Sequence, residues 1–274
     1  MSSRIVNYRR DLGIPHDDIL MLADSCLELG DLVIANVEHR KFSKPIHCIL
    51  AANHYKATDS LISAVKLVES GLVGDAETIV RKLAEIAINM KFLCMDADRR
   101  QWQYWHYLKY SKKKMADAIV EDQRYNERLR QEAARFQPVL DRQFQEVEHL
   151  IAKTKKGRIS TDSWSGLNVK AMAEQCGLEN DYLYCYRLFC IPTHAGVHDI
   201  ERFVDVETAE LNPRYNTDTA LATIIEASRL YLIIVELVIG HFGLQLMESH
   251  RLIGERLESF KGDQRLPNWQ TPAP

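Results

Sequence analysis

The chain has 274 residues, 46% of them hydrophobic, which is enough for a sizeable core in one large domain or two small ones. Its formal net charge of −3 supplies no bulk attraction to nucleic acid or to an anionic membrane, so any such binding must come from a local patch. Only 12 glycines and 8 prolines are present, which favours long helices over turn-rich sheets.

Residues 1–15 read as a polar N-terminal arm without the apolar stretch of a signal peptide. A first helix is expected after Pro15, with Asp17 and Asp18 in its first turn and Ile19, Leu22, Cys26, Leu29 and Val33 on its apolar stripe. After a break at 41–45, a second helix is expected over about 46–71, ended by Gly71 and Gly74. The third, about 75–96, is apolar nearly all round, which puts it at the centre of a bundle. Arg81, Glu85 and Asn89, four apart along it, are out of character there.

Residues 98–156 change character and predict a protruding polar helical hairpin. Its first arm carries Trp102, Tyr104, Trp105, Tyr107 and Tyr110 beside Lys112, Lys113 and Lys114. Its second is rich in Arg, Gln and Glu, and Pro138 is expected to kink or divide it. Residues 154–166 read as a loop. Short helices are expected over about 169–176 and 181–191, the second interrupted by Pro192. Thr217 or Asp218 can cap a long last helix reaching about 249, and 251–274 reads as a loose C-terminal tail. No alternation of period two persists and no repeat is visible. The expectation is an all-α multi-helix bundle: one main domain over 16–250 with the hairpin 98–156 inside it.

Six scattered cysteines without a C-x-x-C pair predict reduced, buried thiols and a cytoplasmic protein. The greasiest run, 230–240, is too short to cross a bilayer and contains Glu236, so no membrane partner is expected. No Gly-rich phosphate loop, nucleophile elbow or H-E-x-x-H is present, and no cofactor is expected.

The candidate site lies in two stretches. Tyr182, Tyr186, Cys190 and His194 recur every four residues, which on a helix sets them along one slowly turning face. Arg81 and Glu85 share that spacing and can pair. A composite interior site of Arg81, Glu85, Tyr186 and His194 is therefore expected. His194 and His198, with Glu201 one turn further on, offer an alternative metal site for a hydrolase. The aromatic and basic cluster 102–114 could stack and hold single-stranded nucleic acid.

Arg187 and His194 form an Arg-x6-His spacing, and the chain in this respect resembles the HEPN ribonucleases. That resemblance implies an all-α dimer that cleaves RNA through its own 2′-hydroxyl without metal. Histidine would move the proton and arginine would hold the phosphate. Arg81 and Glu85, then Trp164, then Tyr182, Tyr186 and His194 also resemble a bacterial family known only as a domain of unknown function. Its Tyr-x-x-x-Tyr-x-x-x-Ser-x-x-x-His segment is matched here with Cys190 in place of Ser, over roughly 50–245 of the chain. The two resemblances together imply an HEPN-like protein of a defence or toxin-type system. Its expected activity is metal-independent ribonuclease, with RNA and a second copy or a protein as partners. The alternatives are a non-catalytic helical interaction module and the metal-dependent hydrolase.

Overall fold

The computed structural model describes residues 17–188, 204–205, 210–211 and 217–261. The N-terminal arm and residues 189–203 lie outside that set. The helices are α1 (Asp17–Val37), α2 (Pro45–Glu69), α3 (Val73–Cys94), α4 (Ala97–Glu121), α5 (Glu127–Gln145), α6 (Val169–Cys176), α7 (Thr217–Phe242) and α8 (Met247–Lys261). A single turn at Glu179–Asp181 runs into a π-helical stretch, Tyr182–Leu188. Among the described residues the only strands are two of two residues each, β1 (Val204–Asp205) and β2 (Glu210–Leu211), paired antiparallel. The protein is an all-α bundle.

The centre is where the sequence is most uniformly apolar. α7 lies against α1, α2 and α3, and α3 is covered in addition by α4, α6 and the π-helix. Leu50, Leu61, Leu83, Ile88, Leu93 and Leu230 are fully buried between them. Burying one such side chain contributes about 1.5–3 kcal/mol, so these contacts set the architecture.

Local signals place the ends. Pro45 starts α2 in the first turn, where its missing N–H is no loss. The side chains of Asn126 and Asn168 cap α5 and α6 by accepting from Leu129 N and Ala171 N, each at 2.8 Å. α7 and α8 are separate helices. Gly243, at φ 61°, ends α7, and Leu244 N donates to the Ile239 carbonyl in a Schellman turn. Residues 251–261, expected in the loose tail, belong to α8.

Pro138 neither divides nor ends its helix: α5 runs through it. The carbonyl that proline leaves without its usual partner, four residues back, belongs to Ala134, an exposed residue. α5 packs chiefly along α4, with no fully buried residue. Lys113 of α4 ties the two arms, reaching Asp117 on its own helix and Asp141 across the gap.

Candidate functional site

An open groove of about 830 Å³ runs over the outer face of α3. Its floor is Lys82, Glu85, Ile86 and Asn89 of α3. Asn53 and Lys56 of α2 flank it on one side, and Tyr104, Tyr107, Leu108 and Ser111 of α4 on another. The far wall is the loop 154–168 with Tyr182 and Tyr186 of the π-helix.

The loop is held by its own geometry. Trp164, 7% exposed, donates from Nε1 to Asn89 Oδ1 at 2.6 Å. Its ring meets Phe92 and Tyr104 edge-on, centroids 5.8 and 5.2 Å away. The Tyr107 hydroxyl donates to the Thr161 carbonyl at 2.8 Å. Gly166 sits at φ 73°, and a Cβ there would lie 2.7 Å from the Lys153 carbonyl oxygen, so the turn requires glycine.

The tyrosine wall follows from the π-helix. Its wider turn sets side chains four apart more nearly over one another. The Tyr182 and Tyr186 rings stack with centroids 5.2 Å apart and planes 20° from parallel. Arg81 approaches Tyr186 from α3, donating from Nη2 to its hydroxyl at 3.1 Å with the guanidinium carbon 4.4 Å from the ring centre. Arg81 thus joins α3 to the π-helix. No ion pair joins Arg81 to Glu85 among the described residues, although their spacing allows one. The Glu85 carboxylate instead lines the groove half-buried. Asn89 completes the row, donating back to the Glu85 backbone carbonyl at 2.8 Å while accepting from Trp164.

Behind the tyrosines lies a charged set that the sequence reading missed. Arg229 of α7 donates to Asp181, which is 7% exposed, and to Glu226 at 2.8 Å. Cys185 of the π-helix donates to the same Glu226 carboxylate at 3.5 Å. Burial opposes the charge on Arg229, but Glu226 and Asp181 hold its pKa above the ordinary arginine value. Burial, reinforced by Glu226, pushes the Cys185 thiol well up, so it is an inert thiol here. The set fastens the start of the π-helix to α7 and so fixes where Tyr182 and Tyr186 stand. A signal existed: Glu226 and Arg229, three apart, interrupt a largely apolar helix much as Arg81 and Glu85 do on α3.

Of the expected site residues, Arg81 and Tyr186 are in contact, and Glu85 faces the groove that Tyr186 also lines. Arg187 is in the π-helix, with its backbone alone described. His194, His198 and Glu201 lie outside the described residues, as do Cys190 and Pro192. Among the described residues no three His, Cys, Asp or Glu side chains are grouped to hold a metal ion. No described helix is long and apolar enough to cross a membrane. The described cysteines are free thiols, and burial pushes Cys26 and Cys94 up to about 12.

Residues 47–211 match DUF5677, a family of unknown function. The chain belongs to that family. The matched span is more than half the chain, and it contains α3, α4, the loop and the π-helix, hence every wall of the groove. No curated protein and no solved structure matches the chain.

Proposed function

We propose that this DUF5677 protein is an HEPN-like, metal-independent ribonuclease whose substrate lies in the groove over α3. The observation that supports the reading is the make-up of the groove. Its walls present four tyrosines, Tyr104, Tyr107, Tyr182 and Tyr186, with Lys56 and Lys82 beside them. Aromatic faces for unstacked bases and cations for phosphates are what single-stranded RNA needs. The lining has three lysines, Lys56, Lys82 and Lys170, against two carboxylates, Glu85 and Asp162, in a chain whose formal charge is negative.

In this reading His194, placed by its Arg-x6-His spacing from Arg187, acts as general base. It takes the proton of a ribose 2′-hydroxyl, and that oxygen attacks the adjacent phosphorus. The bond to the 5′-oxygen breaks, and that oxygen is protonated by an acid. The products are a 2′,3′-cyclic phosphate and a 5′-hydroxyl, with no water consumed. Arg187 or Arg81 offsets the charge that grows on the phosphate, and Tyr186, held by Arg81, positions the nucleotide.

The test is incubation of the purified protein with end-labelled single-stranded RNA in the presence of EDTA. Cleavage to cyclic-phosphate ends is expected, reduced about 100-fold or more in His194→Ala. Absence of cleavage, dependence on a divalent metal, or an undiminished His194→Ala variant would each overturn it. The interaction-module alternative has its own support, since the Arg229 set and the Arg81–Tyr186 contact also serve as pins between helices. It predicts that RNA is neither cut nor bound.

A further inference from the structure

Beside the groove, α4 turns a second face to solvent. Trp102, Trp105 and Leu108 are 43%, 44% and 57% exposed, and Lys109 and Lys112 lie among them. At 100° per residue these five share an arc of about 120°. Leu108 belongs both to this strip and to the groove wall, so the two surfaces are continuous.

The cations on the strip are unspent. Lys113 is held by Asp117 and Asp141, whereas Lys109 and Lys112 have no carboxylate partner among the described residues. Trp102 stacks on His106, centroids 5.7 Å apart and planes 17° from parallel, which presets its ring as a platform. A second copy of this chain fits poorly. Two such helices crossing face to face would set Lys109 and Lys112 of one against the same lysines of the other. A polyanion with flat bases meets both needs at once.

Resting on the ribonuclease reading, we infer that the groove and the Trp102–Lys112 strip form one track for single-stranded RNA. The strip binds the nucleotides that lie outside the groove. The substrate is then an oligonucleotide of several residues, and affinity grows with length until the strip is covered. The lysines contact phosphates and the tryptophans stack bases, without reading sequence.

The test measures fluorescence anisotropy with non-cleavable 2′-O-methyl oligouridylates, labelled with fluorescein, of about four and about twelve nucleotides. The longer probe is expected to bind about ten-fold tighter or more. Trp105→Ala and Lys112→Glu, both at exposed positions, are expected to remove that excess and leave the shorter probe unchanged. Lys112→Glu is also expected to lower the salt slope of the longer probe by about 1. Equal affinity for the two lengths would overturn the track and leave the groove reading standing. So would variants that bind the long probe like the parent, or a Trp105→Ala change that splits a dimer without touching RNA affinity. If neither length binds, the groove reading fails together with the track.

Discussion

Two of the polar sets that interrupt the apolar interior are finished in opposite ways. The first is a seam where α1, α2 and α7 cross. The Tyr231 hydroxyl lies 3.1 Å from His54 Nε2 and 3.0 Å from Thr58 Oγ1, and Thr58 donates to the His54 carbonyl at 3.1 Å. Tyr231 is 0% and His54 2% exposed. The second is the row Glu85–Asn89 on the groove floor, half-buried, where the Glu85 carboxylate has no protein partner among the described residues. A buried polar group without a partner costs about 1–3 kcal/mol, so a seam closed to water must complete itself. A row open to a groove need not, because water or a ligand completes it. The contrast separates polar residues that hold the bundle together from those available for chemistry.

The Arg229 set stands between the two: closed like the seam, but bordering the groove. If it is a structural closure, Arg229→Met strands Asp181 and Glu226 and costs about 4 kcal/mol. Calorimetry should then show Tm falling by on the order of 10 °C. Glu85→Gln, on the open row, should move Tm by a degree or two at most, because solvent already completes that carboxylate. Equal effects would erase the distinction.

Acid sharpens the comparison further. Burial lowers the His54 pKa from 6.5 to about 4, so the fold holds its imidazole neutral. The folded value is the depressed one. The stability of keeping His54 neutral is therefore fully present above about pH 6.5. It is lost as pH falls from there to about 4, below which both states carry the proton. The fall from 6.5 to about 4 corresponds to about 3 kcal/mol of that loss. Urea melts at stepped pH should show this slope in the parent and not in His54→Phe. An equal slope in both would assign the acid sensitivity to other groups.

Much of the architecture is legible in the residues, because it follows from helical stripes and from apolar density. The hydrophobic run of α3 announces its central place, and Gly71 announces a helix end, whereas Asn126 and Asn168 stand out as caps only through the hydrogen bonds they accept. What spacing along one helix cannot give is distance between helices. Arg81 and Glu85 are spaced to pair, yet Arg81 turns to Tyr186 across a gap between elements. The π-helix is invisible to a pattern that assumes a regular turn, although that turn is what stacks Tyr182 on Tyr186. Trp164 is legible as an oddity in a loop, but its partner Asn89 is named only by the fold. Of the two outcomes expected at Pro138, a kink or a division, the unbroken α5 excludes the division.

Gly30 is the sharpest case, since nothing near it in the chain explains it. It lies inside α1, where alanine would be better by about 0.8–1.0 kcal/mol on helix propensity alone. A Cβ there would stand 1.8 Å from the Tyr231 hydroxyl oxygen and 3.0 Å from the ring carbon that bears it. The glycine makes room for the seam. Gly30→Ala must push Tyr231 off His54 and Thr58, and about 2 kcal/mol of destabilisation is expected. In a Tyr231→Phe background the offending oxygen is gone and the remaining contact needs only a few tenths of an ångström of give. The same Gly30→Ala change should there cost nothing or stabilise slightly, through the recovered propensity. A double-mutant cycle by urea melting measures that coupling directly. If Gly30→Ala costs as much with phenylalanine at 231 as with tyrosine, the glycine is not serving the hydroxyl. The seam would then be closed by packing in general and not by the hydrogen bonds of Tyr231.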